Sequence, residues 1–214
     1  MKKGDLLWIL ALGVFIAFIV MPSTHEIFIA VTKQYPLVGG FIKFAYLATL
    51  GELLAIRIVT GEWKKPPAVM WRAAIWGFLG AIITIIFHIY ATGVTSALKV
   101  GMLPGGGMTL AFAFFTSTLM NGLFAPTFMA FHRCTDTYLD IKYGEGVAKP
   151  TLREVIDRID WYGFVSFVVL KTIPFFWIPA HTITFLLPAE YRILAAAMLS
   201  IALGGILAFA KKKK

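Results

Sequence analysis

Charge is scarce in this sequence and cysteine is nearly absent. Only 14% of residues are Asp, Glu, Lys or Arg, and Cys134 is the single thiol, whereas a soluble domain carries about 25% charged residues. A lone cysteine excludes a disulfide-stapled module, and 59% hydrophobic residues without a glycine period exclude intrinsic disorder and a collagen-like repeat. Catalytic signatures are missing as well. The histidines at 25, 88, 132 and 181 have no paired spacing, there is no Gly-x-Ser-x-Gly, and Gly105-Gly106-Gly107 lacks the lysine and hydroxyl of a phosphate loop. His132-Arg133-Cys134 offers two ligands, too few for a metal site. The expectation is no enzyme, no cofactor, no metal and no nucleic-acid partner.

What remains is apolar length. A mean hydropathy of +0.80 over 214 residues nearly excludes a soluble enzyme and fits one integral-membrane unit, 1–214. A hydrocarbon core of about 30 Å takes about 20 apolar residues, and six stretches approach that: 6–21, 37–58, 69–90, 108–131, 161–187 and 193–210. The fold class expected is therefore an all-α, polytopic helix bundle. The first stretch follows Lys2-Lys3 but lacks a small-x-small cleavage pattern, so it reads as an uncleaved span. Pro174 and Pro179 predict a broken or kinked fifth span. With the N-terminus inside, fifteen Lys and Arg fall on one side, and only Lys33, Lys99 and Arg192 on the other. That asymmetry is the positive-inside pattern and places both termini in the cytoplasm. The lipid bilayer is the expected partner, with a small solute or ion and a homo-oligomer as further candidates.

In the loop 132–160, Thr151-Leu152-Arg153-Glu154 reads as a capping box opening an amphipathic surface helix at about 151–160. Ionisable groups within spans are functional suspects. Glu52 and Lys171 are expected at similar depth and form a candidate pair across the second and fifth spans, with Arg57 as the other candidate cation for Glu52, as a structural ion pair or as the lining of a water-filled path. Lys43 is expected to snorkel outward, and His88 to sit near the outer end of its span. Asn121, with Thr116-Ser117-Thr118, reads mainly as helix cross-linking. Ala196, Ser200, Gly204 and Ala208 at four-residue spacing form a close-packing face. The polar-path candidates are thus Glu52, Lys171, His181, Asn121 and His88. They support a channel-like or small-solute pathway, or else a non-transporting scaffold or stress-related protein in which the same groups only fix packing.

The last quarter carries a resemblance. Trp177, Pro179, His181, Thr184 and Phe185, followed by Pro188, Tyr191 and Arg192, resemble the C-terminal signature of the Mpv/PMP family of small mitochondrial inner-membrane and peroxisomal proteins. That signature reads Trp-Pro, a Gln three before Asn-Phe, then Pro-x-x-Tyr-Arg. His181 stands in place of the Gln and Thr184 in place of the Asn. Upstream, Tyr35-Pro36, Gly51-Glu52, Arg72 with Gly77, His88-Ile89-Tyr90 and Phe124-Ala125-Pro126 are similar to family motifs in the same order. The resemblance spans about 35–214, leaving 1–34 as an extra N-terminal span and loop. It implies a small helical bundle with channel-like or metabolite-permeability roles. The membrane would be mitochondrial inner or peroxisomal in a eukaryote and the plasma membrane in a prokaryote.

Overall fold

The computed structural model describes residues 2–212, with side chains described through Ile206. Among these residues there are helices and turns but no strand. The order is α1 (Lys3–Val20), α2 (Pro22–Gln34), α3 (Pro36–Thr60), α4 (Val69–Lys99), α5 (Thr109–Leu123), α6 (Ala125–Leu139), a π-wound turn (Asp140–Gly144) and α7 (Leu152–Arg158). A short α8 (Trp161–Gly163) then leads into a π-helical stretch (Phe164–Trp177), α9 (Ile178–Leu186) and α10 (Ala189–Lys212).

Among the described residues four helical segments are long and apolar enough to cross a membrane: Lys3–Val20, Val69–Lys99, Trp161–Leu186 and Ala189–Ile206. They correspond to the first, third, fifth and sixth expected spans and mark an integral membrane protein. The large apolar side chains left exposed, among them Leu7, Val14, Phe78, Ile89 and Leu170, are what a helix facing hydrocarbon presents. The second expected span, α3, has 25 residues but carries Lys43, Glu52 and Arg57 and is not among the four. The fourth is divided at Phe124 into α5 and α6, each of 15 residues, with Pro126 in the first turn of α6, where its missing N–H costs nothing.

Between the first two expected spans the structure corrects a loop to a helix. Residues 22–34 form α2, opened by Pro22 at its first position. Its Phe28 is buried. The expected fifth span is not interrupted: helical winding is continuous from Trp161 to Leu186, and Phe164–Trp177 takes π winding around Pro174, a rare geometry that accommodates a lost backbone donor.

Close glycine contacts hold the centre together. A Cβ on Gly80 would lie 2.5 Å from the Gly40 carbonyl oxygen, and one on Gly51 would lie 3.1 Å from Ile201 Cα, so α3 is in backbone contact with α4 on one side and α10 on the other. The expected small-residue face of α10 is that contact: Gly204 faces the Gly51 carbonyl and Ala196 is buried. Ala208 lies outside the residues whose side chains are described. Phe44, Leu47, Phe87, Met120, Phe185 and Ala197 fill the main core.

These contacts fix which helix ends lie together. Lys2 Nζ donates to the Gly61 carbonyl (2.8 Å), Asp5 holds Arg57 (2.8 Å) and the Trp63 indole N–H (2.8 Å), and Gly144 lies against Pro67. The start of α1, the α3–α4 connection and the segment after α6 thus share one end of the bundle. Gly61, with φ +73°, closes α3 there in the left-handed region that glycine adopts without a Cβ penalty. At the other end Lys33 approaches Glu190 (3.6 Å), and His25 is bonded to the Tyr191 hydroxyl (3.0 Å).

Candidate functional site

Arg72 lies four residues into α4, at the bundle end just described, and its side chain is 5% exposed. Its Nε reaches back to the Pro67 carbonyl (3.0 Å), which aims the guanidinium across the α3–α4 connection. Nη1 then meets Glu52 Oε1 of α3 (3.0 Å) and Asp136 Oδ1 of α6 (3.1 Å), while Nη2 meets Asp140 Oδ1 (2.6 Å). One cation thus ties three carboxylates from three segments, leaving the group formally two negative charges in excess when all are ionised.

His132, Asp136 and Asp140 follow at four-residue spacing and so share one face of α6 and its π-wound extension. The His132 ring packs on Trp76 at a centroid distance of 4.1 Å, with Nδ1 3.4 Å from Asp136 Oδ2. Its Nε2 is buried without a partner. Burial, with Arg133 and Arg72 nearby, pushes the His132 imidazole down to about 3, so at neutral pH the ring is uncharged and its contact with Asp136 is no ion pair. Burial pushes the Asp136 carboxyl up to about 6, with Arg72 pulling the other way and Asp140 adding repulsion. Among the described residues no set of three or more His, Cys, Asp or Glu is placed to hold a metal ion.

Lys171 is not the partner of Glu52. It is exposed on the π-helical stretch, and Glu52 is bound instead by Arg72. Depth counted along the chain gives level but not facing. α3 and α4 are antiparallel neighbours, which brings positions 52 and 72 opposite each other, whereas residue 171 points away. Lys43 corrects another expectation. Rather than reaching outward it is buried, donating to Thr32 Oγ1 (2.9 Å) above the Phe28 ring (4.8 Å). Both partners belong to α2, which covers it. His88 is exposed.

The remaining two candidates do meet. Asn121 Nδ2 donates to the Ser117 carbonyl (2.8 Å), which turns its Oδ1 toward His181 Nδ1 (3.2 Å). This orientation assigns the His181 proton to Nδ1. Ser117 Oγ donates across to the Ile178 carbonyl (2.7 Å), so α5 and α9 are joined twice. His181 is buried against Trp177, stacked at 5.1 Å, and the edge of Phe87 at 5.5 Å. Thr116 bonds its own helix at the Phe112 carbonyl.

Most of the other signature positions serve packing or local backbone contacts. Phe185 is in the core, buried Thr184 bonds Ala180, Phe124 and Pro126 form the α5–α6 break, and the Tyr191 amide bonds the Pro188 carbonyl. Arg192 donates to the Leu187 carbonyl (2.9 Å) beyond α9. The polar-path candidates therefore fall into three places: a charged cluster at one end, a neutral network inside, and the exterior. The sequence signal that could have exposed the cluster is the i, i+4, i+8 repeat of His132, Asp136 and Asp140. Arg72 carried no such periodicity: beyond its place with Gly77 in the upstream resemblance, next to a loop it reads as an interfacial base. Comparison with protein-family models, with curated proteins and with solved structures returns no match for this chain.

Proposed function

We propose that this protein is a small-solute or ion permeability pathway with six membrane passages and both termini in the cytoplasm, and that Arg72 and its three carboxylates close its cytoplasmic end. The observation that carries the reading is the imbalance at Arg72: three carboxylates from α3, α4's neighbour α6 and the π-wound turn converge on one buried cation. A purely structural ion pair needs one partner. An excess of negative charge at a bundle end attracts cations and changes with protonation. The gathering of residues 2–5, 61–67 and 140–144 at that end supports the topology, since these segments adjoin most of the basic residues outside the helices.

A second reading, a non-transporting scaffold, is favoured by the network at Asn121 and His181, whose polar groups satisfy one another. Liposomes carrying purified protein separate the two. The pathway reading expects cation flux above that of empty liposomes, raised further by Arg72→Gln, which frees the three carboxylates. Flux equal to that of empty liposomes for both proteins, across cations and small neutral solutes, leaves the scaffold.

A further inference from the structure

Cations are few at the end of the bundle opposite Arg72, and their placement is selective. Lys33 is turned to Glu190 (3.6 Å), and Lys43 is held by Thr32 inside the bundle. Lys99 and Arg192 instead line a single groove of about 420 Å³, together with Thr92, Thr95 and Ser96 of α4 and Phe112 of α5. Neither of the two forms a salt bridge among the described residues.

Arg192 is presented rather than loose. Its guanidinium carbon lies 5.4 Å from the Phe112 ring centroid and 5.6 Å from that of Phe185, and Nε is anchored to the Leu187 carbonyl. That anchoring leaves both Nη groups for an outside acceptor. Thr92, Ser96 and Lys99 stand at i, i+4 and i+7, one face of the last two turns of α4. Thr95 Oγ1 is engaged with Ala91 (2.8 Å), while the hydroxyls of Thr92 and Ser96 are exposed.

We propose that this groove binds a phosphate group. A fixed guanidinium, an exposed ammonium and two hydroxyls, with no carboxylate among the lining residues, match a tetrahedral oxyanion, for which arginine supplies paired donors. The aromatic floor and the position at helix ends fit the phosphate of a phospholipid, and a soluble phosphoester has the same recognised group. The proposal does not depend on whether the protein conducts.

Native mass spectrometry of the detergent-purified protein tests it, with phosphatidylglycerol, diacylglycerol and glycerol 3-phosphate as probes. Phosphatidylglycerol should be retained and diacylglycerol, which lacks the phosphate, should not. Lys99→Gln, a change at an exposed side chain that leaves the core intact, should weaken retention about tenfold, the scale of one charge-assisted contact. Arg192→Gln should weaken it more, and Arg192→Lys should recover part of that loss. Displacement by glycerol 3-phosphate identifies a site open to soluble phosphoesters, and its failure identifies a lipid site; both sustain phosphate recognition. The proposal is overturned by Lys99→Gln and Arg192→Gln proteins that retain phosphatidylglycerol as the unaltered protein does, or by an equal loss in Lys149→Gln, a substitution at the other end of the bundle.

Discussion

Two polar clusters in this bundle solve burial in opposite ways. Between α5 and α9, Ser117, Asn121 and His181 form a neutral network in which each donor meets an acceptor. At the α3–α4 end, Arg72 serves three carboxylates while His132 Nε2 has no partner. A neutral, satisfied network fixes geometry and has little to gain from a change of conditions. A charged network with too few cations stays sensitive to every proton it gains or loses. The first is suited to holding helices together, the second to responding.

The largest break in that contrast comes from Arg72→Met. Three carboxylates without their cation should cost about 3–5 kcal/mol, read as a lowered thermal midpoint in detergent, and adding Glu52→Gln and Asp140→Asn should restore part of it. A midpoint unchanged by Arg72→Met would remove the network from the account of stability.

Acid separates members of the charged cluster from each other. The Asp136 pKa is raised from 3.8 to about 6, so its favourable contribution is complete below about 3.8 and is lost as pH rises through 6. The His132 pKa is lowered from 6.5 to about 3, so its contribution is complete above 6.5 and is lost as pH falls. Between about pH 4 and 6 the two slopes oppose each other, each on the order of 1.4 kcal/mol per pH unit. Relative to the unaltered protein, Asp136→Asn should therefore lose stability on acidification over this window, and His132→Gln should gain it. Parallel pH curves for all three proteins would refute both assignments.

The neutral network sharpens the comparison by its silence. Asn121→Ala strips His181 of its acceptor and should cost about 1–3 kcal/mol, by the same amount at pH 6 and pH 8, measured as chemical unfolding in detergent. A loss confined to one pH would mean that His181 titrates in use. Smallest is Thr151→Ala at the surface, about 1 kcal/mol for a lost cap, read as faster amide exchange in α7. Exchange there as slow as in the unaltered protein would show that packing alone holds that helix.

That surface helix was the most legible element. Thr151 and Glu154 bond reciprocally in the structure, with Thr151 N donating to Glu154 (2.7 Å) and Glu154 N to Thr151 (3.2 Å), because a capping box is a contact within four residues. The glycine face of α10 was legible for a related reason: periodicity names a face, although it cannot say that α3 is the partner. What stayed hidden depended on rotation of one helix against another. Glu52 was recognisable as buried, but its partner followed from how α4 faces α3. Helix α2 was missed because its thirteen residues are too polar for a span, although Pro22 after an apolar run is an opening signal. Pro174 announced a disturbance, but sequence does not distinguish a kink from π winding. Apart from Arg192, the resemblance of the C-terminal motif marked residues that the structure uses for packing, such as Thr184 and Phe185.

The backbone contact of α3 with both α4 and α10 has a consequence for biosynthesis. Helix α4 leaves the ribosome soon after α3, but α10 begins at Ala189, so the Gly51 surface stays uncovered while most of the chain is made. A long-lived vacancy on a helix bearing Lys43, Glu52 and Arg57 makes α10 the element that completes the bundle around α3. Damage to α10 should accordingly leave the growing chain unaffected and surface once α10 has been made, as rapid degradation of chains whose Gly51 surface is never covered.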